Sequence, residues 1–377
     1  MVRRVRLGQS YRKVARALGV SASTVGHWVK RAGSERLERV DWSEGSRRPH
    51  RLARQLDSTL LNEVLRARKW LHDEDPLGEY GPAAIRRYLR EQGWRAPSER
   101  TIARWVAQCV PKTVRSRRPV PPRGWYLPVV ANGAAELDAV DVVEGLRMQG
   151  HGRIEVLNCL SLWESLPGSW CAGAITSLMV RRSLTSHWRK HGRAHYVQFD
   201  NDTIFSGAHA RRNYFGRLVH WCLCMDVIPV FAPPLEVGFQ AIIEAYNRRW
   251  QERVWQRWRH PNLRSLRGRS DAFVQAYQQR KRRDQKLRRG PIKAGREPVS
   301  SKLILLRRLD EDGKLKVCAQ TFLVARTWAH RLVRCEVDVA AQTISFFRIS
   351  RRDPHYQTPL AKQRIEVKLV PWWKPPD

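Results

Sequence analysis

Apolar positions in the first hundred residues recur at helical spacing in two places. Residues 10–31, SYRKVARALGVSASTVGHWVKR, break into two short helical patterns at Gly19. Ala15 stands where two helices must approach closely, and Gly19 supplies a left-handed turn. Val20, Val25 and Trp28 form the apolar seam of the second helix, which Ser21 caps. That spacing predicts a helix-turn-helix whose second helix, residues 22–30, enters the major groove. Residues 81–106 repeat the pattern more loosely, with Ile85, Tyr88 and Leu89 on one helix and Ile102, Trp105 and Val106 on the next. Gly93 and Pro97 mark the turn there, Ser98 is the cap, and a helical pattern around 56–71 joins the two units.

Beyond residue 110 the periodicity changes. Residues 111–124, PKTVRSRRPVPPRG, have no apolar period and read as a basic, Pro-rich linker along phosphates. Short β-like runs at 139–143, 153–160, 194–199 and 227–231 alternate with helical stretches, the signature of a layered α/β sheet. Residues 248–297 read as a helix passing into a basic connector that supplies nonspecific phosphate binding. Residues 300–370 carry the runs LKVCA, TFLVA, RCEVDVA and TISFFRI and a hairpin signal at Asp312-Gly313, which together predict a small β-barrel. The chain therefore divides into a helix-turn-helix domain (1–50), a second one (51–110), the linker (111–124), an α/β core (125–279), a connector (280–299) and a barrel (300–371).

Charge decides the class of partner. The 70 Lys and Arg outnumber the 35 Asp and Glu, a formal net charge of +35 over 377 residues. Such an excess predicts a polyanion held by salt-sensitive phosphate neutralisation. A membrane is the weaker reading, because no apolar run approaches the roughly 20 residues of a spanning helix and the N-terminus has no signal-peptide core. The seven cysteines are scattered and odd in number, which suits a reducing cytoplasm, with a nucleoid-associated location following from DNA binding. Cys222, Cys224, His220 and His209 lie near one another, but without a second ligand pair they read as core residues rather than a zinc site.

An α/β core in so basic a chain requires carboxylates where phosphodiester chemistry is done, since Mg²⁺ prefers oxygen ligands. Asp141 lies in the apolar run AVDVV, Asp200 ends HYVQFD, and Glu244 lies in the helical pattern IIEAYNRRW. A carboxylate on a buried strand costs several kcal/mol unless paired or metal-bound. Asp138 remains an alternative first acid and Glu236 an alternative to Glu244, while Asp202 reads as a turn residue.

VQFDNDTIFSG and IIEAYNRRWQERV resemble the second-acid turn and the glutamate helix of integrase-type (DDE) bacterial insertion-sequence transposases. FGRLVHWCLCMDVIPVFAPP and AVDVVEGLRMQGHGRIEVLN resemble that family's connecting segment and first two strands. The resemblance implies a multidomain protein: all-α helix-turn-helix domains, an α/β ribonuclease-H-like core and a C-terminal β-barrel. It makes Asp141, Asp200 and Glu244 the catalytic, metal-holding triad for two Mg²⁺ or Mn²⁺ ions. Asn201, Asn247 and Arg248 become DNA contacts beside the scissile phosphate, and Ser23, Thr24, His27, Lys30, Arg100 and Arg104 contacts on the two reading helices. The implied partners are the terminal inverted repeats and a target duplex, bound by a homo-oligomer. Asp202 and Gln240-Ala241 depart from the motif, where glycine and Asn-Gly are usual, and leave open a DNA-binding relic that no longer cuts. Tyr246 is expected to pack, because metal-activated attack needs no protein nucleophile.

Overall fold

The computed structural model describes residues 1–43, 58–109, 123–207, 212–234, 236, 238–281, 289–293 and 295–373, with Lys281 described in its backbone alone. Almost all of the basic linker, part of the connector and His209 lie outside the described residues. The chain forms two compact units, Met1–Thr59 and Leu60–Asp377.

The first unit is a three-helix cluster of α1 (Val2–Arg6), α2 (Tyr11–Leu18) and α3 (Ala22–Ala32). Ser10 and Ser21 cap α2 and α3, their side chains accepting from the amides of Lys13 and Thr24. Gly19 closes α2 in the left-handed region at φ 63°. Val14, Ala15 and Val25 are buried together, with Val5 and Val20 packed on them. The helix α1 was not legible as one, because arginines interrupt its apolar pattern. One of them, Arg6, donates to the carbonyls of Ala32, Gly33 and Glu35 at 3.3, 2.9 and 2.7 Å and so satisfies the end of α3.

The second unit begins with α4 (Ser58–Asp73, its first turn spanning the boundary), α5 (Pro82–Glu91) and α6 (Glu99–Cys109). Val64, Leu71, Ile85, Leu89, Ile102 and Trp105 form their common core. Ser98 accepts from the amide of Thr101 at 3.2 Å, which starts α6 where its side chain predicts. After α7 (Pro128–Ala131) comes the sheet: β1 (Leu137–Met148), β2 (Gly152–Ser161), β3 (Pro167–Ala172), then α8 (Ser177–His191) and β4 (Tyr196–Phe199). The short α9 (Thr203–Ser206) and β5 (Tyr214–Phe215) lead to α10 (Arg217–Cys224) and β6 (Ile228–Phe231). Next follow α11 (Ala241–Trp250), which runs on as a π-helical turn over Gln251–Trp255, and α12 (Leu263–Lys281). The last strands are β7 (Lys302–Arg308), β8 (Lys314–Val317), β9 (Gln320–Leu323), β10 (Leu332–Asp338), β11 (Thr343–Arg348), β12 (Pro359–Arg364) and β13 (Lys368–Leu369).

Strands β1, β2 and β3 form an antiparallel meander, while β4 pairs parallel to β1 and β6 parallel to β4. The order β3-β2-β1-β4-β6 with β2 alone reversed against its parallel neighbours is that of a ribonuclease-H-like sheet. Alternate strand residues face two cores. Leu157, Cys159, Val197, Leu303 and Leu305 pack with α8 and α10 on one side. Val156, Leu160, Val230, Ile304 and Leu306 pack with α11 and α12 on the other.

The C-terminal strands are not the separate barrel the sequence suggests. β7 pairs parallel with β6, so β7, β10, β11 and β12 continue the core into one nine-stranded sheet. The physical reason is visible in β7, whose run Leu303-Ile304-Leu305-Leu306 is buried on both faces. A barrel strand buries alternate residues; a strand inside a two-faced sheet buries all of them. The hairpin also falls elsewhere: β8 and β9 turn at Cys318-Ala319, and Asp312-Gly313 belongs to the loop leading into β8.

Several arginines expected to hold phosphate instead tie the helical part of this unit to its core. Arg253 donates to the carbonyls of His72 and Gly78, at 2.8 and 3.2 Å, and Arg257 to that of Asp75 at 2.9 Å. Arg280 pairs with Asp75 at 2.7 Å. Gly78 adopts φ 57°, which strains any other residue, and lies directly against the Arg253 guanidinium.

Candidate active site

The parallel pairing of β1 with β4 decides where acids can meet. Ala139 is level with Gln198, so Asp141 lies beyond that pair on β1 and Asp200 directly after the end of β4. Asp200 thus stands past the carboxyl end of β4, where open α/β sheets place their sites, and Asp141 stands level with it inside the longer β1. Glu244 comes from the first turn of α11, where the positive end of the helix dipole favours a carboxylate. Glu244 and Arg248 are exposed one turn apart on that helix.

Hydrogen bonds fix the two aspartates. Asn247 is buried, donates to the Asp141 carboxylate at 2.7 Å and accepts from the Asn158 amide at 2.8 Å. This chain joins β2, α11 and β1, so the phase of the glutamate helix and the rotamer of Asp141 are set together. Asp200 accepts from the amide of Asp202 at 2.9 Å, and Asp202 in turn caps α9 by accepting from Ile204 at 2.8 Å. Asp202 is therefore a turn residue, as its type suggests.

The electrostatics report three acids gathered without a counter-charge. Burial first, then the charges of Asp200 and Glu244, push the Asp141 carboxyl up to about 6, against the lowering pull of the Asn247 bond. Burial also raises Asp200, and the charges of Asp202 and Glu144 add to it. Among the described residues no cation forms an ion pair with Asp141, Asp200 or Glu244, in a chain of net charge +35. Uncompensated carboxylates converging in a basic protein are a donor set suited to hard divalent cations.

A tighter cluster is less suitable. Ligand atoms of Asp138, Cys159 and His187 lie within 4.8 Å of one another, closer than the triad. But Asp138 is fully buried and already satisfied: Arg289 bonds it at 2.5 Å and the Trp188 indole at 2.9 Å. Burial pushes the Cys159 thiol well up and the His187 imidazole down to about 3. Asp138 is thus a structural acid, which removes it as a rival to Asp141. Glu236 pairs with Arg308 on the surface. Tyr246 is buried with its hydroxyl 2.8 Å from that of Ser169, a packing residue. Cys222 and Cys224 lie in α10 with their side chains buried in the core and their thiols pushed up by burial.

Other expected contacts fall differently. Ser23, His27 and Lys30 are exposed on one stripe of α3, whereas Thr24 is half-buried with its hydroxyl 2.7 Å from that of Ser21. Arg100 and Arg104 are exposed one turn apart on α6. Asn201 does not face outward for DNA: its amide donates to Ala232 at 2.6 Å and its carbonyl accepts from Arg307 at 2.9 Å. Asn247 is likewise occupied inside the protein, and only Arg248 of the three remains open. Sequence reasoning missed Asn158, although a lone amide within the apolar run VLNCL was the available signal.

The raised carboxyl of Asp141 has a sign that can be tested. Its folded value of about 6 exceeds the roughly 3.9 of an unfolded aspartate, so without metal the fold loses stability as pH rises from ~4 through 6. Metal-free Asp141→Asn is therefore expected to melt higher than the native protein at neutral pH, with the gap narrowing below pH 6 and closing towards pH ~4. Mg²⁺ should raise the native melting temperature at neutral pH and affect the variant less. Differential scanning calorimetry decides it, and a melting temperature indifferent to pH, substitution and Mg²⁺ would contradict the geometry.

Residues 1–40 match the homeodomain-like domain family. No protein of curated function matches the chain. Among solved structures, the simian T-cell lymphotropic virus intasome in complex with the PP2A regulatory subunit B56 gamma has a chain that is 13% identical. That overlap covers 74% of this chain and 95% of the other at a TM-score of 0.34. The catalytic core domain of BIV integrase is also 13% identical, over 41% of this chain and 89% of its own, with a TM-score of 0.28. Those overlaps are too loose to argue from, and the fold assignment rests on strand order and direction. With a homeodomain-like domain at its start and a ribonuclease-H-like sheet after it, the chain resembles integrase-type transposases in the order of its parts.

Proposed function

We propose that this protein is a DDE-type transposase: it binds the ends of a DNA element, cleaves to free a 3′ end and joins that end to target DNA. The observation that carries the reading is the convergence of Asp141 inside β1, Asp200 just after β4 and Glu244 on α11 without a cation among the described residues, in a chain of net charge +35. These three would hold Mg²⁺ or Mn²⁺, two ions in the full site. Such ions lower the pKa of a bound water and shield the phosphate's charge. The chain's own part is to position: Asn247 holds Asp141, the Asp202 amide holds Asp200, and Arg248 offers a guanidinium beside Glu244 for a phosphate oxygen.

End recognition belongs to α3 and α6, through Ser23, His27 and Lys30 on one and Arg100 and Arg104 on the other. Double-stranded DNA, as terminal repeats and as target, is the partner, bound by a homo-oligomer in the bacterial cytoplasm. Among the described residues no helix is long and apolar enough to cross a membrane. His27→Ala should cost about tenfold in preference for element ends over random duplex while leaving random-duplex binding nearly unchanged. Competition binding measures this, and an equal loss on both DNAs would remove His27 from base reading.

The decisive experiment is strand cleavage and joining on labelled DNA carrying the sequences that flank the gene, with Mg²⁺ or Mn²⁺. A free 3′ end followed by a joined strand supports the proposal. Tight binding with no reaction would make the protein a DNA-binding relic.

A further inference from the structure

The face of the sheet opposite the glutamate helix carries a basic groove that the cleavage reaction does not use. It has a volume of about 610 Å³, and Arg181, Arg182 and Arg189 of α8 line it together with Lys293, Arg296 and Trp372. Among the described residues no carboxylate lines it. Arg181 forms the wall: its guanidinium donates to the Trp372 carbonyl at 2.8 Å and lies 4.7 Å from the centre of that indole. Lys293 is partly neutralised at the rim by Asp226, 3.2 Å away. Arg182, Arg189 and Arg296 are exposed and form no ion pair among the described residues.

Burial, then the charges of Arg182 and Arg217, pull the Arg181 guanidinium below its usual value. A concave surface that gathers like charges gains most from a ligand that brings several negative charges at regular spacing. A flat anionic membrane would touch the rim but not the recessed Arg181.

We infer that this groove binds the phosphate backbone of a DNA segment other than the one at Asp141, Asp200 and Glu244. The placement supports it, since α8 packs on the core that includes Leu157 and Leu303, and α11 on the one that includes Val156 and Ile304. A duplex at the carboxylates meets the sheet from the α11 side; the groove meets DNA from the other. The inference rests on the transposase reading for the identity of the polyanion, and adds a second grip on the same core.

The test uses the full chain, a labelled duplex of about three helical turns and a salt titration read by fluorescence anisotropy. Arg182→Gln/Arg189→Gln should lower the slope of log affinity against log salt by about 2, near 0.9 for each lost phosphate contact. Affinity at near-physiological salt should fall roughly tenfold, and Arg182→Lys/Arg189→Lys should restore most of it. Both side chains are exposed, so folding is not at issue. An unchanged slope in the Gln variant overturns the groove even where the native protein binds and cuts element ends. A lowered slope in a protein that never cuts leaves the groove standing and removes the transposase reading instead.

Discussion

Asp200→Asn should bind DNA with native affinity and yet cleave it about a thousandfold more slowly, a loss of ~4 kcal/mol of transition-state stabilisation. The substitution keeps size and shape, and Asnδ oxygen can still accept the Asp202 amide, so the turn into α9 survives. What disappears is one negative charge at the end of β4, where no cation among the described residues replaces a metal ion as its partner. Glu244→Gln should behave alike, because its place on the exposed first turn of α11 contributes little to packing. Asn247→Ala should differ in kind: losing a residue that orients Asp141 but meets no DNA should lower the rate about tenfold. Strand cleavage and anisotropy on the same preparations separate the three. Native rates in Asp200→Asn would dissolve the site.

How much of this was legible in the sequence follows from which residues report locally and which report only through partners. Capping serines and a positive-φ glycine are local signals, and Ser10, Ser21, Ser98 and Gly19 stand where such residues have to stand. A polar residue inside an apolar run is nearly as plain, which is why Asp141 and Asp200 could be singled out. Pairing between distant strands leaves no such mark. The Leu-rich run of β7 is equally a barrel strand or a two-faced sheet strand until β6 is placed beside it. Asparagines fail in the same way: the motif marks Asn201 and Asn247 as important, but not that Ala232, Arg307, Asp141 and Asn158 already use their amides. Charge is the most ambiguous signal of all. The basic stretch after α11 reads as phosphate-binding, yet Arg253, Arg257 and Arg280 hold carbonyls and acids of the end of α4 and the loop that follows it.

Arg289 is the extreme case, and its removal should unfold more than it unbinds. Its side chain is 1% exposed and bridges Asp138 at 2.5 Å and Glu164 at 2.7 Å, while donating to the Gly192 carbonyl at 3.0 Å. Burial alone would raise the Asp138 carboxyl; the guanidinium overcomes that and holds it below the usual range. Arg289→Ala takes the guanidinium away from two buried carboxylates, a change that costs about 3–5 kcal/mol in buried pairs of this kind. The cost should depend on pH with a definite sign. Asp138 is depressed in the folded state, so its contribution is present above the roughly 3.9 of the unfolded group and is lost as pH falls through the folded value. In the variant the stranded acids relax by taking up protons, so its deficit against the native protein should be large at neutral pH and shrink towards pH ~4. Denaturant unfolding of both proteins at the two pH values measures this directly. Asp138→Asn should be milder than Arg289→Ala, because the amide still accepts from Arg289 and Trp188 and leaves Glu164 paired. Equal stability of native protein and Arg289→Ala at neutral pH would mean that the connector holding Arg289 is not anchored in the core, and that the end of α8 and the start of β1 are fixed by packing alone.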